Sequence, residues 1–491
     1  MGRLVKTKSF TADDYAGFSQ RINDQLEQLR LLLENPEFGL GEASFGAELE
    51  MYLVDENFLP HAVNEQLMAL ANDPQLTYEL NRYNLEFNMT PVMAKGTPFR
   101  AMEEELRNFL NGLQAKAQTI GTQIIPIGIL PTLRNIHLND NYMTDLPRYH
   151  MLKEGLCRMR GQSFNIDING KDPLSIYGDG VTIEGANTSF QVHFRVPPDD
   201  FADCFNAAQL TTPLVLALSA NSPFLSGHRL WQETRIALFK QSIDARVREH
   251  PDWGQPARVT FGNGWVRRGA WELFAENVAL YQPLIPDCAD LDGIKEGELP
   301  DLNLHHGTIW PWNRAVYSHL DGGHLRIEYR AMPAGPTVVD MIANAALAIG
   351  WSMGMKESVE RYTARLPFGF AEYNFYRAAQ FGLDAKIIWP HKNGGGLVER
   401  PIVDVIQDLL PRAREGLVML GIDEAEIARV WKIVEDRFSS RQTGASWQLH
   451  QFEAMRENHS IEESSELMLK DYIANLMEGT PVAQWPRAGN A

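Results

Sequence analysis

The chain has 491 residues, with 45 Lys+Arg against 63 Asp+Glu and a formal net charge of −18, an acidic excess that argues against a nucleic-acid partner. Hydrophobic residues make up 44% and charged residues 22%, which excludes disordered and fibrous classes and leaves ample material for a packed core. Cys157, Cys204 and Cys288 are widely spaced, without CxxC or Cys/His ligand spacing, so neither a disulfide framework nor a zinc site is expected.

No apolar stretch follows Arg3, Lys6 and Lys8, so a signal peptide is not expected. The longest apolar run, Met341 to Met355, is interrupted by Asn344 and is too short to span a bilayer. The expectation is a cytoplasmic protein with no membrane partner.

In chain order, Thr11 and Asp13 ahead of Leu26, Leu29, Leu31 and Leu32 predict an amphipathic helix over 11–34. A strand follows over 45–53, where Phe45, Ala47, Leu49, Met51 and Leu53 alternate with Glu48 and Glu50. Period two puts both carboxylates on one face, about 6.6 Å apart, close enough to serve one metal cluster. Residues 84–89 repeat the pattern, with Leu85, Phe87 and Met89 inward and Asn84, Glu86 and Asn88 outward. The spacing of Phe99, Met102, Leu106, Phe109, Leu110 and Leu113 predicts a helix over 98–120 covering a sheet, with Glu103, Glu104 and Glu105 as a solvated face.

A third strand over 189–196 displays Gln191, His193 and Arg195, and a fourth over 324–330 displays Arg326, Glu328 and Arg330. Two stretches rich in Ala, Leu, Ile and Val, 205–222 and 338–355, predict helices buried in the core. Residues 401–478 read as successive amphipathic helices, with Gly394 to Gly396 a surface loop ahead of them. The chain therefore divides into a domain over 1–400 and a helical C-terminal segment over 401–491 packed on it.

Each strand alone fits an antiparallel sheet with one wet face. Together they carry Glu, Asn, Gln, His and Arg and no Lys. Carboxylate and amide oxygens suit Mg²⁺ or Mn²⁺, and Arg grips phosphate and carboxylate in bidentate fashion. The shared face reads as a site for nucleotide and metal, without a Walker A sequence or a GxGxxG after a strand. Trp310 and Trp312 read as packing, His305 and His306 as loop residues pointing different ways, and Glu79 as an exposed acid. Arg441 reads as a helix cap and Gln448 as a surface amide.

The order of these segments resembles the carboxylate-amine ligases related to glutamate-cysteine ligase, within the glutamine synthetase-like fold. The resemblance rests on Gly46-Ala47-Glu48-Leu49-Glu50, Leu85 to Pro91, Ser219 to Phe224 followed by Arg235, His306 to Arg314, Leu325 to Arg330, Pro333 to Thr337 and Arg441 to Gln448. It implies an α+β fold: a curved antiparallel sheet lining the site, helices outside and a helical C-terminal segment. It further implies ATP and Mg²⁺ as cofactors, Mn²⁺ being a second option, with Glu48, Glu50, Glu86, His193 and Glu328 as metal ligands. Arg330 and Arg326 would stabilise the phosphoryl group in transfer, and Arg235, Asn313, Arg314 and Gln191 would hold substrate.

The implied reaction activates a carboxylate, typically the glutamate side chain, as an acyl phosphate that an amine then attacks. The implied partners are small molecules, namely ATP, the acid and an amine or amino acid, with room for a homo-oligomer. Two alternatives stay open: a phosphotransferase of guanidino-kinase type on the same fold, and a non-catalytic nucleotide or amino-acid binding protein.

Overall fold

The computed structural model describes residues 10–161, 163–178, 180–246, 255–290, 292, 294–392 and 394–488; Arg3, Lys6 and Lys8 lie outside them. The four alternating segments become strands of one sheet. In chain order its strands are β1 (Ser44–Val54), β2 (Leu76–Tyr78), β3 (Asn84–Asn88), β4 (Val92–Met93), β5 (Gln123–Ile125), β6 (Phe190–Val196), β7 (Asn313–Ser318) and β8 (His324–Tyr329). They run in the order β7-β8-β6-β1-β3-β2, with β4 and β5 pairing the two ends of β1. Every pairing is antiparallel, so residues opposite one another in register share a face.

The apolar half of each strand, including Phe45, Leu49, Leu85, Phe87, Val192, Phe194, Leu325 and Ile327, is buried on one side. The helices that matter for the site are α1 (Ala12–Leu33), α2 (Pro98–Gln118), α3 (Pro147–Arg160), α4 (Phe201–Ser219), α5 (Trp271–Leu280), α6 (Pro300–His306), α7 (Val338–Met355), α8 (Ile402–Met419), α9 (Glu424–Ser440), α10 (Gly444–Met455) and α11 (Ile461–Glu478). Thr11 caps α1, its hydroxyl accepting from the Asp14 amide while the Asp14 carboxylate accepts in return. The span Val338–Thr363 is long and apolar enough to cross a membrane, yet 89% of its apolar window is buried within the fold, as befits a core helix.

α7 and α8 cross so closely that glycine is required on both. A Cβ on Gly354 would lie 1.7 Å from the Arg412 carbonyl oxygen, and one on Gly416 would lie 2.0 Å from that of Gly350. The helical tail continues into the same core. Arg437 of α9 bonds Asp340 Oδ1 at 2.7 Å, and the Val482 amide donates to Asp340 Oδ2 at 2.9 Å.

Two sequence expectations about surface acids and amides are corrected here. Glu103 pairs with Arg107 at 2.9 Å and also with Arg429 of α9, and Glu105 accepts from the Thr90 amide at 3.0 Å; only Glu104 of that trio is exposed. Gln448 is wholly buried and donates to Asn221 Oδ1 at 2.8 Å, because α10 starts against the end of α4. Arg441 does cap α9, in a left-handed conformation. Gly394 to Gly396 form the exposed turn of the hairpin Lys386–Pro390 and Leu397–Pro401.

Candidate active site

The polar half of each strand converges on the other face of the sheet. Register places His193 opposite Glu328, Gln191 opposite Glu48, Glu86 opposite Glu50 and Arg314 opposite Glu328. Arg195 lies opposite Arg326 on the same face. Five strands thus supply one continuous polar surface, and the apolar alternation that buries their backs fixes its register.

Two groups of ligand atoms stand on this surface, each with its members within 4.8 Å of one another: Glu48, His193 and Glu328, and Glu50, Glu79 and Glu86. In the first, His193 Nε2 lies 3.0 Å from Glu48 Oε1. Glu328 is fully buried and is bonded by Arg314 at 2.9 Å and by Arg330 at 2.9 Å. Burial alone would raise this carboxyl, but Arg314, Arg330 and His193 outweigh it and hold it well below the usual range. Glu48 is likewise lowered, since His193 overcomes the cost of its burial.

The second group is unbalanced. Glu50 accepts from the Ser189 amide at 2.6 Å and from Gln191 Nε2 at 2.8 Å, yet burial keeps it raised despite Arg235 and Arg330. Glu86 accepts from Thr77 Oγ1 and Asn88 Nδ2, each at 2.9 Å. Burial, then the charges of Glu48 and Glu50, push it up to about 8. Glu79 is raised well above the usual range by burial and by Glu86, Glu50 and Glu184. Carboxylates packed this tightly repel one another unless a proton or a cation intervenes, so the donor set fits a divalent, oxygen-loving metal.

Glu79 corrects the sequence reading, which took it for an exposed acid. It follows β2 directly, two residues after Thr77, and Thr77 lies opposite Glu86; that parity is the signal that could have found it. Glu184, in the turn Val181–Ala186, carries no strand pattern at all.

The predicted substrate residues divide. Gln191 and Arg314 lie on the polar face, and Arg330 donates to both Gln191 and Glu328. Arg326 bonds His324 Nε2 at 3.0 Å. Asn313 points to the opposite face, because adjacent strand residues alternate and Arg314 takes the polar one; its amide donates to Gln209 Oε1 at 2.6 Å and Thr212 Oγ1 at 2.9 Å of α4.

Arg235 is buried, donating to Ala331 O at 3.1 Å and to Glu233 at 3.3 Å. There it braces the turn after β8 and lends positive potential to Glu50. His305 and His306 end α6 instead of lying in a loop, Pro300 at its first turn supplying the start signal. Trp312 is buried edge-on to Phe239 at 5.7 Å, and Trp310 meets the same ring at 6.2 Å, both in packing roles.

The sequence model of the glutamate-cysteine ligase family 2 matches residues 44–462, a stretch that contains every strand of the sheet. The chain belongs to that family. Membership makes it an ATP-dependent ligase that forms an amide bond. The protein of Trichormus variabilis named "Putative glutamate--cysteine ligase 2" is 24% identical over 389 residues, covering 77% of this chain and 82% of that one. The Frankia alni protein named "Putative glutamate--cysteine ligase 2-1" is 29% identical over 230 residues, 46% of this chain and half of its own length.

Among solved structures, the glutamate--cysteine ligase of Francisella tularensis in complex with AMP superposes with a TM-score of 0.57 at 11% identity, over 89% of this chain and 90% of that one. The bifunctional glutathione synthetase of Pasteurella multocida gives 0.50 at 14% identity, over 93% of this chain and 55% of that one. At such identities the likeness is one of fold. The curved antiparallel sheet with helices outside and a helical C-terminal segment is the architecture expected from the sequence.

Proposed function

We propose that this member of the glutamate-cysteine ligase family 2 activates the side-chain carboxylate of glutamate, or of a related acid, as an acyl phosphate and joins it to an amine. The observation that carries this reading is the pairing on one sheet face of two ligand groups, Glu48/His193/Glu328 and Glu50/Glu79/Glu86, beside Arg330. Mg²⁺ or Mn²⁺ held by these residues would supply charge neutralisation between protein carboxylates and phosphate oxygens.

The chain's own groups then divide the work. Arg330, anchored by Glu328 and Gln191, presents positive charge where the γ-phosphoryl group of ATP acquires negative charge during transfer. Arg326 and Arg314 extend that positive edge along β8 and β7. Phosphorylation turns a poor leaving oxygen into a good one, so attack by the amine needs no covalent enzyme nucleophile.

The test is phosphate release from Mg-ATP with glutamate present, scanned against amines and amino acids, with hydroxylamine trapping and mass spectrometry of products. Release that depends on one acid and one amine, with a hydroxamate in the trap and a condensed amide without it, is the expected result. A phosphorylated acceptor as the end product would instead mean a phosphotransferase, and Mg-ATP binding without release under any pair would mean a binding protein.

A further inference from the structure

Glu184 stands close enough to Glu50 and Glu79 for their charges to act on one another, in a short 3-10 helix, Val181–Ala186, that no strand pattern predicts. Its main chain is pinned to the strands of the site. Asn81 Nδ2 donates to Thr182 O at 2.9 Å and Tyr52 OH to Ala186 O at 2.6 Å. A Cβ on Gly185 would lie 2.5 Å from Asn81 Nδ2, so the turn packs against Asn81 without room for a side chain there. Asn81 follows Glu79 by two residues, and Ser189, five residues after Glu184, donates to Glu50. These tethers hold Glu184 beside the Glu50/Glu79/Glu86 group.

Two observations separate it from that group. Its oxygens are not among the ligand atoms that lie within 4.8 Å of one another. Its main-chain oxygen accepts from Asn187 Nδ2 at 2.7 Å, whereas its carboxylate has no hydrogen bond or ion pair among the described residues. Burial, then the charge of Glu50, pushes its carboxyl up to about 8, while Arg330 pulls it the other way. Every other carboxylate of the surface is either hydrogen-bonded or part of a ligand group. A carboxyl set beside Glu50, with no hydrogen bond or ion pair of its own among the described residues, matches a cationic group brought in by a substrate, which would hold it ionised.

We propose that Glu184 binds a substrate ammonium group, so that the site selects molecules bearing a protonated amine; this rests on the ligase reading above. The ammonium has two sources, the α-ammonium of the acid to be activated or the incoming amine before it loses its proton, and Glu184 recognises the same chemistry in either.

The experiment compares the full chain with Glu184→Gln in steady-state phosphate release, using the acid found in the substrate scan and its deaminated counterpart, which for glutamate is glutarate. The carboxylate holds no hydrogen bond or ion pair among the described residues, and the substitution relieves its repulsion with Glu50, so the variant is expected to melt at or slightly above the parent. A charge-assisted hydrogen bond corresponds to roughly a tenfold to hundredfold change in apparent affinity. If the ammonium belongs to the acid, KM for the acid rises by about that factor while KM for glutarate and for Mg-ATP stays put. If it belongs to the acceptor, KM for the amine rises instead and that for the acid does not. Glu184→Asp, which keeps the charge, should recover part of either loss.

Unchanged KM for both organic substrates would overturn the proposal. So would a raised Mg²⁺ requirement with those KM values unaltered, which would make Glu184 a metal ligand. Absence of acid- and amine-dependent release in the parent chain is a distinct result: it would overturn the ligase reading together with this one.

Discussion

Glu328 and Glu86 are the same residue type on one sheet face with two strands between them, and their surroundings pull them in opposite directions. Glu328 is held ionised by Arg314 and Arg330, while Glu86 is pushed up to about 8 by burial and then by Glu48 and Glu50. Their glutamine substitutions should therefore part in sign. Glu328→Gln takes the shared charge from two partly buried guanidinium groups and should cost about 1–3 kcal/mol. Glu86→Gln removes a carboxyl that the fold forces to take up a proton near neutral pH, and should stabilise the chain in chelator by about 1–2 kcal/mol. On the proposed metal-binding role, both should lose turnover by at least about a hundredfold, each removing a carboxylate that would hold the cation. Urea unfolding in EDTA, with turnover measured separately in Mg²⁺, checks both; a matched shift in midpoint would contradict this account of the electrostatics. Glu48, Glu50, Glu86 and Glu328 were legible in the sequence because a strand prints its facing in period two. Glu79 and Glu184 were not, since one lies just past a strand end and the other in a short 3-10 helix with no amphipathic period to read. Asn313 was misread against that same rule: adjacent to Arg314 in a strand, it had to face the helices.

At the level of elements, the long helices and the four main strands followed from spacing alone, since each buries one clean face. What spacing does not reveal is how closely two such faces meet. Gly350 and Gly354 read as ordinary small residues in an apolar run, yet they and Gly416 set the α7–α8 crossing. Gly416→Ala forces the helices apart and should cost about 1–3 kcal/mol, read as a lower urea midpoint with turnover per folded molecule retained. A second element-level consequence concerns α6. His306 Nε2 lies 2.7 Å from Ala315 O of β7 and its Nδ1 lies 2.7 Å from Asn277 Nδ2 of α5, an arrangement that suits a neutral ring donating through Nε2–H. Burial holds His306 down to about 3 and His305 to about 4, from 6.5. Below about pH 6.5 the unfolded chain takes up protons that the folded one refuses, so stability falls as pH drops toward about 4, by up to roughly 1.4 kcal/mol per pH unit per histidine. His305→Gln can still donate to Asn277 O and should flatten that slope between pH 6.5 and 4.5; an unchanged slope would place the acid sensitivity elsewhere.

The whole molecule ties its C-terminal helices to the site through a chain of buried polar contacts. Tyr472 OH of α11 donates to Pro126 O at 2.9 Å and accepts from Asn221 Nδ2 at 2.9 Å. Gln448 of α10 and the Ala445 amide close on the same corner, at Asn221 and Ala220 O. The Asn221 amide donates to Glu233 at 3.0 Å, Glu233 accepts from Arg235, and Arg235 reaches the main chain at Ala331, next to Arg330. Removing α10 and α11 would take from the buried Pro126 O, Asn221 side chain and Ala220 O the partners these helices supply, at about 1–3 kcal/mol apiece. It would also delete Trp447, Tyr472 and Trp485, which are packed edge to face at 4.9 and 5.2 Å, and Phe452, whose loss uncovers Phe224, 4.8 Å away. A tail wired in this way folds with the sheet and not beside it. The full chain should give a single calorimetric unfolding transition, and a chain ending at Ser440 should give none that is cooperative. Two separated transitions would instead make residues 401–491 an independent unit resting on the sheet, and a truncated chain that still melts sharply and binds Mg-ATP would make the helices after Ser440 dispensable to its folding.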